Sequence, residues 1–252
     1  MDFGFYHLDC MEGMKEFPDN YFELAIVDPP YGRNSHKRFR PNGGVGRHKT
    51  SGNSIIVKVK NITKNSWDLK RPNVSYFKEL TRVSRNQIIW GGNYFCDLLK
   101  GTSCFIVWDK VNGSSVQADC ELAWTSFKTS VRKITYMWSG LAQGKGSVNG
   151  HIMEGNNKLW ERKIHPTQKP IVLYRWLLQN YAKPGDKILD THVGSASSLI
   201  AFEQEGFDYV GFELDKDYFR DATKRLKQAR TTTIDMFKQP KPKIAIQESM
   251  KL

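Results

Sequence analysis

The chain has 252 residues, the length of one α/β domain with insertions. A hydrophobic share of 39% is enough for a sizeable core, which excludes a globally disordered chain. The net charge of +12 points to a polyanionic partner, and it is not spread evenly.

The first residues carry neither the basic nor the apolar region of a signal peptide. No apolar run approaches the roughly 18 residues that span a bilayer. Cys10, Cys96, Cys104 and Cys120 form no CxxC pair, so they read as buried thiols of a reducing compartment rather than metal ligands. The chain is therefore expected to be cytoplasmic, with no membrane partner and no metal.

In chain order, a short strand at 3–9 ends at Asp9, and a short helix at 11–17 leads to the apolar run 22–27, a buried strand. Asp28-Pro29-Pro30-Tyr31 follows. Two prolines cannot continue a ladder, so the strand stops there and Asp28 sits at the carboxyl edge of a sheet. Such a turn can be an ordinary strand end with a buried Tyr. It also holds a carboxylate, a prolyl carbonyl and an aromatic ring together, a set that can grip a flat, amino-bearing ring. The carboxylate and the carbonyl would accept from an exocyclic amine, and the ring would stack.

Residues 33–66 are rich in Gly, Asn and Ser, and they carry nine Lys and Arg with no Asp or Glu. The stretch is long for a structureless connection, which favours a functional loop. Arg33, Lys37, Arg38, Arg40, Arg47 and Lys49 are its candidate phosphate contacts. Helical spacing follows over 73–84, then strands at 87–90, 103–108, 119–124 and 131–138. Residues 139–164 form a second, Gly/Asn-rich insertion. A helix at 168–182 presents Ile171, Leu173, Tyr174, Leu177, Leu178 and Tyr181 on one face, with Thr167 placed to cap it and Lys169 in its first turn. Lys183-Pro184-Gly185 ends it.

Residues 186–215 read as a β-α-β unit, with strand 186–190, helix 196–205 and strand 208–213. Asp190 closes the first strand, Gly194 and Ser195 occupy the turn, and Glu213 closes the second strand, close to the ~20 residues beyond the glycine at which a ribose diol is held. The third small residue of the turn is Ala196, which narrows the backbone options. A phosphate-binding P-loop is excluded, because Gly144-Lys145 is followed by Gly146. A helix at 217–229 precedes a polar tail from Thr231, expected to pack loosely.

Three elements thus occur in order: Asp28-Pro-Pro-Tyr31, His165-Pro-Thr-Gln-Lys-Pro170, and Asp190-x-x-x-Gly194-Ser. Together they resemble an AdoMet-dependent DNA amino-methyltransferase of the permuted (beta) group, in which the catalytic half precedes the cofactor half. The resemblance covers roughly residues 5–230. It extends to Trp90-Gly-Gly-Asn-Tyr-Phe95, Phe105-Ile-Val-Trp-Asp109 and Glu121-Leu-Ala-Trp-Thr-Ser-Phe127.

The resemblance implies a doubly wound, mostly parallel α/β sheet of Rossmann-like methyltransferase type. It would form a single domain over 1–230: a catalytic half at 1–138, a target-reading insertion at 139–164, a cofactor half at 165–230, and a tail at 231–252. It assigns amine binding to Asp28, Pro29, Pro30 and Tyr31. It places Asp190, Gly194 and Ser195 on the methionine side of S-adenosyl-L-methionine and Glu213 on the ribose, and counts His192 among the cofactor-binding residues. Asp9 and Cys10 fall beside the cofactor adenine, and Thr167 and Lys169 in a lid. His192 stands where the family usually has Phe, and Ala196 where it usually has Gly. The implied partner is double-stranded DNA, and dimers are common in the group. Asp28 points to adenine N6, since Ser usually opens the motif in cytosine N4 enzymes. Cytosine N4, an RNA substrate and a DNA-binding relative with a decayed cofactor pocket stay open.

Overall fold

The computed structural model describes residues 1–32, 70–111, 118–138, 143–144, 161, 163–165 and 167–238, with side chains described as far as Thr231. The candidate phosphate contacts Arg33, Lys37, Arg38, Arg40, Arg47 and Lys49, and most of the 139–164 insertion, lie outside the described residues.

The elements in order are β1 (Gly4–His7), α1 (Cys10–Lys15), β2 (Phe22–Val27), α2 (Val74–Val83), β3 (Ser84–Trp90), β4 (Phe105–Asp109), β5 (Cys120–Thr125), β6 (Arg132–Thr135), β7 (Met137–Trp138), β8 (Gln143–Gly144), α3 (Ile171–Tyr181), β9 (Ile188–Asp190), α4 (Ser197–Glu205), β10 (Tyr209–Glu213) and α5 (Lys216–Lys238). Among the described residues, eight strands form one sheet in the order β1-β10-β9-β2-β3-β5-β4-β6. Only β5 runs against the others in this sheet. The fold is a mostly parallel α/β sheet, as expected.

Period-2 alternation in the central strands feeds two cores. From β2, Leu24 and Ile26 join Ile88, Trp90, Ile188 and the inner faces of α3 and α4. Ala25 and Val27 join Ile89, Leu189 and Val210, against Met14 of α1 and Tyr76, Phe77 and Leu80 of α2. Helices therefore cover both faces, and the apolar residues of the central strands are buried, as in parallel sheets generally. Among the described residues, no helix is long and apolar enough to cross a membrane.

Four local expectations are corrected. The run 131–138 divides at Tyr136 into β6, in the main sheet, and β7, which pairs with β8. Helix α3 begins at Ile171 rather than 168, with Pro170 at its N-cap position. A proline disfavours helical backbone at the residue before it, so Lys169 cannot open the helix. Helix α5 runs to Lys238, through the start of the expected tail, because no Gly or Pro interrupts the chain before Pro240. Cys104 is buried and Cys10 partly so, but Cys96 and Cys120 are exposed.

Candidate active site

The chain order of the strands runs outward from the β2–β9 pair: β3 follows on one side, β10 and then β1 lie on the other. This is a switch point, where ligands gather beyond the carboxyl ends of strands in open α/β sheets. Asp28 directly follows β2, and Asp190 ends the neighbouring parallel strand β9. Register pairs Ala25 with Leu189, so the two carboxylates emerge side by side at one edge. Glu213 ends β10, the next strand along.

Asp28 lies in a tight polar network. Its Oδ1 accepts from the Tyr31 hydroxyl at 2.6 Å, and its Oδ2 accepts from the Lys169 ammonium. The Lys169 side chain is 3% exposed. Its ammonium also reaches Tyr31 Oη at 3.3 Å and Glu121 Oε2 at 3.4 Å, and it lies 5.8 and 5.4 Å from the ring centres of Tyr31 and Trp90. Glu121, from β5, pairs on its other oxygen with Lys110. Burial alone would lower the Lys169 pKa, but Asp28 and Glu121 outweigh it and hold the group above its ordinary value. Burial alone would raise Glu121, and Lys169 and Lys110 outweigh it and keep it low. Both groups are therefore charged at neutral pH. The Trp90 indole N–H is buried with no acceptor among the described residues.

Tyr31 does not project freely. Its ring stacks on Tyr94 with centroids 4.8 Å apart, and it passes over Gly91 so closely that a Cβ there would lie 2.2 Å from the ring. Gly91 also has φ +70°, so this position requires glycine twice over. Pro29 is buried and Pro30 partly so.

On the neighbouring side, Asp190 accepts from His192 N at 2.9 Å and from Ser198 Oγ at 2.5 Å. Burial pushes its pKa up to about 7 despite those donors, with the charges of Asp28 and Glu213 adding to the rise. The Glu213 carboxylate accepts from Gly194 N and Asp215 N, each at 2.8 Å. It thereby ties the glycine turn to β10. Gly194 has φ +55° and Ala196 φ +63°, so the alanine occupies the left-handed backbone that glycine adopts at least cost. Leu214, 65% exposed, offers an apolar face beside Glu213.

His192 packs edge-on to Tyr76, and its Nδ1 lies 2.9 Å from Thr191 Oγ1. His165 packs on Tyr218 and lies 3.9 Å from where a Cβ on Gly194 would stand. Burial pushes both imidazoles down to about 4, helped at His165 by the Lys169 charge, so both are neutral at pH 7.

The remaining expected residues hold structural posts. Asp9 caps α1 by accepting from Met11 N at 2.7 Å, and burial pushes the Cys10 thiol up to about 12. Thr167 does not cap α3; its hydroxyl meets His165 Nδ1 at 3.1 Å. Ser195 is buried, and its carbonyl accepts from Arg225 at 2.6 Å. The cap of α3 comes from Glu161, whose two oxygens accept from Ile171 N at 3.1 and 2.9 Å. Arg225 joins Glu161 at 2.7 Å to Ser197 Oγ at 2.9 Å, clamping the glycine turn to the start of α3. Sequence reasoning does not single out the partners Glu121, Glu161 and Arg225. Of these, only Glu121 falls in a segment that carries the resemblance.

An open, mostly parallel sheet with three acidic strand ends at its switch point is the architecture of nucleotide-handling α/β proteins. The solved PvuII DNA methyltransferase (cytosine-N4-specific) has a similar fold: TM-score 0.53 with 14% identity, covering 93% of each chain. A family model described as DNA methylase, for N6/N4 methyltransferases, matches residues 107–224, from β4 into α5. The type II methyltransferase M2.DpnII of Streptococcus pneumoniae is 22% identical over 90% of each chain. M2.LlaDCHI of Lactococcus lactis subsp. cremoris is 22% identical over 89% of each. The chain is thus distantly similar to type II DNA methyltransferases, and the match to the N6/N4 DNA methylase model is confined to residues 107–224.

Proposed function

We propose that the chain is a beta-group, AdoMet-dependent DNA methyltransferase acting on the N6 amine of an adenine flipped out of duplex DNA. The observation that carries this is the adjacency of Asp28 and Asp190 at the ends of neighbouring strands. It brings an amine acceptor beside a cofactor-type turn, although the two motifs lie far apart in the chain.

The cofactor half fits its ligand. Glu213 is a strand-end carboxylate placed for a ribose diol, Leu214 offers an apolar face to a purine, and Gly194 leaves room above the turn. Asp190, poised near neutrality by burial, becomes fully ionised when a cationic group arrives beside it. Bound AdoMet would supply an electrophilic methyl on a sulfonium.

The rest of the work falls to the chain's own residues. Asp28 and the Pro29 carbonyl accept the two N–H bonds of the amine, drawing its lone pair out of conjugation and aiming it. Tyr31 stacks on the base, offsetting the few kcal/mol of pairing and stacking lost on flipping. Asp28 also stabilises the positive charge that develops on nitrogen. The rate enhancement comes from orientation and electrostatics, with no covalent enzyme intermediate. The basic run from Arg33 to Lys49 would neutralise backbone phosphates.

The test is methyl transfer from labelled AdoMet to mixed-sequence duplex DNA, digested to nucleosides. N6-methyldeoxyadenosine is expected. N4-methyldeoxycytidine would overturn the base assignment, and absence of label from DNA would overturn the reading. Asp28→Ala should lower turnover by at least about 10³-fold with AdoMet affinity within about threefold of wild type, because Asp28 faces the amine and not the cofactor.

A further inference from the structure

We propose that Lys169 is an internal competitor for the substrate amine, and that Glu121 is the acceptor that takes the Lys169 ammonium when the amine arrives. The inference rests on the amino-methyltransferase reading and concerns the same site.

The Lys169 ammonium and an exocyclic amine are both N–H donors that seek Asp28, and in the structure the ammonium holds that place. The other carboxylate oxygen is taken by Tyr31. A fixed positive charge there opposes transfer, because positive charge must develop on the amine nitrogen against the same carboxylate. A site built only to attract an amine gains nothing from a buried lysine at that point.

The surroundings supply a second seat. Glu121 Oε2 stands 3.4 Å from Lys169 Nζ, longer than a strong charge-assisted hydrogen bond, so a small shift of the ammonium completes that contact. Glu121 comes from β5, the strand that runs against its neighbours, and its other oxygen is anchored by Lys110. The rings of Tyr31 and Trp90 wall the ammonium on its path and stabilise it by cation–π contact. Charge is conserved in both arrangements: two carboxylates and two ammonium groups, with Lys169 leaning to Asp28 before the base enters and to Glu121 after. The exchange keeps the Asp28 carboxylate from standing unpaired in a partly buried site when no base is bound.

The experiment measures kcat and DNA KM for wild type, Lys169→Met, Glu121→Gln and the double variant, with melting temperature and AdoMet affinity as checks of folding. Lys169→Met should lower the DNA KM by about three- to tenfold, since the amine meets no competitor. Glu121→Gln should raise it by about tenfold, since the ammonium loses its second seat. In the Lys169→Met background, Glu121→Gln should change nothing. The inference is overturned if the two effects multiply in the double variant, or if Lys169→Met raises KM or cuts kcat while melting is unchanged. Should Glu121→Gln fail to fold, Glu121→Asp gives the same comparison: a KM rise only while Lys169 is present supports the exchange, and a rise in both backgrounds overturns it. A wild-type protein that methylates no DNA defeats the functional reading instead, so the two failures are distinct.

Discussion

Burial pushes the His192 imidazole down to about 4 from an ordinary 6.5. Between those values the unfolded chain binds a proton that the folded chain refuses, so acid destabilises the fold. The contribution is present above pH 6.5 and is lost as pH falls toward 4. Asp190 has the opposite sign: its carboxyl is raised to about 7 from 3.8, so its contribution is full below 3.8 and is lost as pH rises to 7. His192→Phe removes the first effect and leaves the second. Urea unfolding between pH 4 and 6.5 should then show a slope smaller by about one proton, or roughly 1.4 kcal/mol per pH unit. Equal slopes for variant and wild type would mean that His192 is charged in the folded protein. Asp28, Asp190 and Glu213 are legible in the sequence because each closes an apolar run. Glu121 and Arg225 are not, because a polar residue within a strand or helix carries no mark of its distant partner. Ala196 is legible as a departure, but its left-handed backbone shows only in the structure.

At the level of elements, α5 does more than cover the sheet. Through Arg225 it meets the glycine turn at Ser195 and Ser197, and the start of α3 through Glu161. Arg225→Leu leaves a largely buried carboxylate without its cation and a carbonyl without its donor. Unfolding free energy in urea should fall by about 3 kcal/mol. Arg225→Lys should recover only part of the loss, because a point charge cannot serve three acceptors as a guanidinium does. A loss under about 0.5 kcal/mol for Arg225→Leu would show the clamp to be solvated. The bounds of β2 are readable to the residue and those of β5 and β10 to within one, since apolar runs bounded by turn residues are strong signals, whereas β3 begins three residues before the expected strand and β8 is not foreseen. The start of α3 is not, because capping residues at 167–169 fit a helix locally, while Pro170 and Glu161 decide it. Glu161 lies ten positions upstream of the backbone it caps, beyond the reach of local spacing.

For the molecule as a whole, a net charge of +12 on a chain whose proposed substrate is a polyanion makes salt the natural probe. Affinity for mixed-sequence duplex should fall linearly in log–log form with salt concentration. Replacing Arg33, Lys37, Arg38, Arg40, Arg47 and Lys49 by Gln should reduce that slope by up to about 5, near 0.9 for each phosphate no longer neutralised. An unchanged slope would move the DNA-binding surface elsewhere. The class of fold is readable from the alternation of strands and helices. The adjacency of β2 and β9 is not, because spacing along a chain does not say which distant strand fills the open side of β2. The register of Ala25 with Leu189 supplies that adjacency.

That pairing has a consequence during synthesis. One side of β2 is filled early by β3, but the other must wait for β9, which emerges from the ribosome after nearly three-quarters of the chain. Until then the nascent protein exposes an apolar central strand with an open edge, the kind of surface that holdase chaperones cover and that aggregates when crowded. Lys169 and Asp28, 141 positions apart, cannot meet until two-thirds of the chain has emerged. A prematurely terminated chain thus carries the Asp28 motif without the site it belongs to, and the site is completed only as the last elements dock.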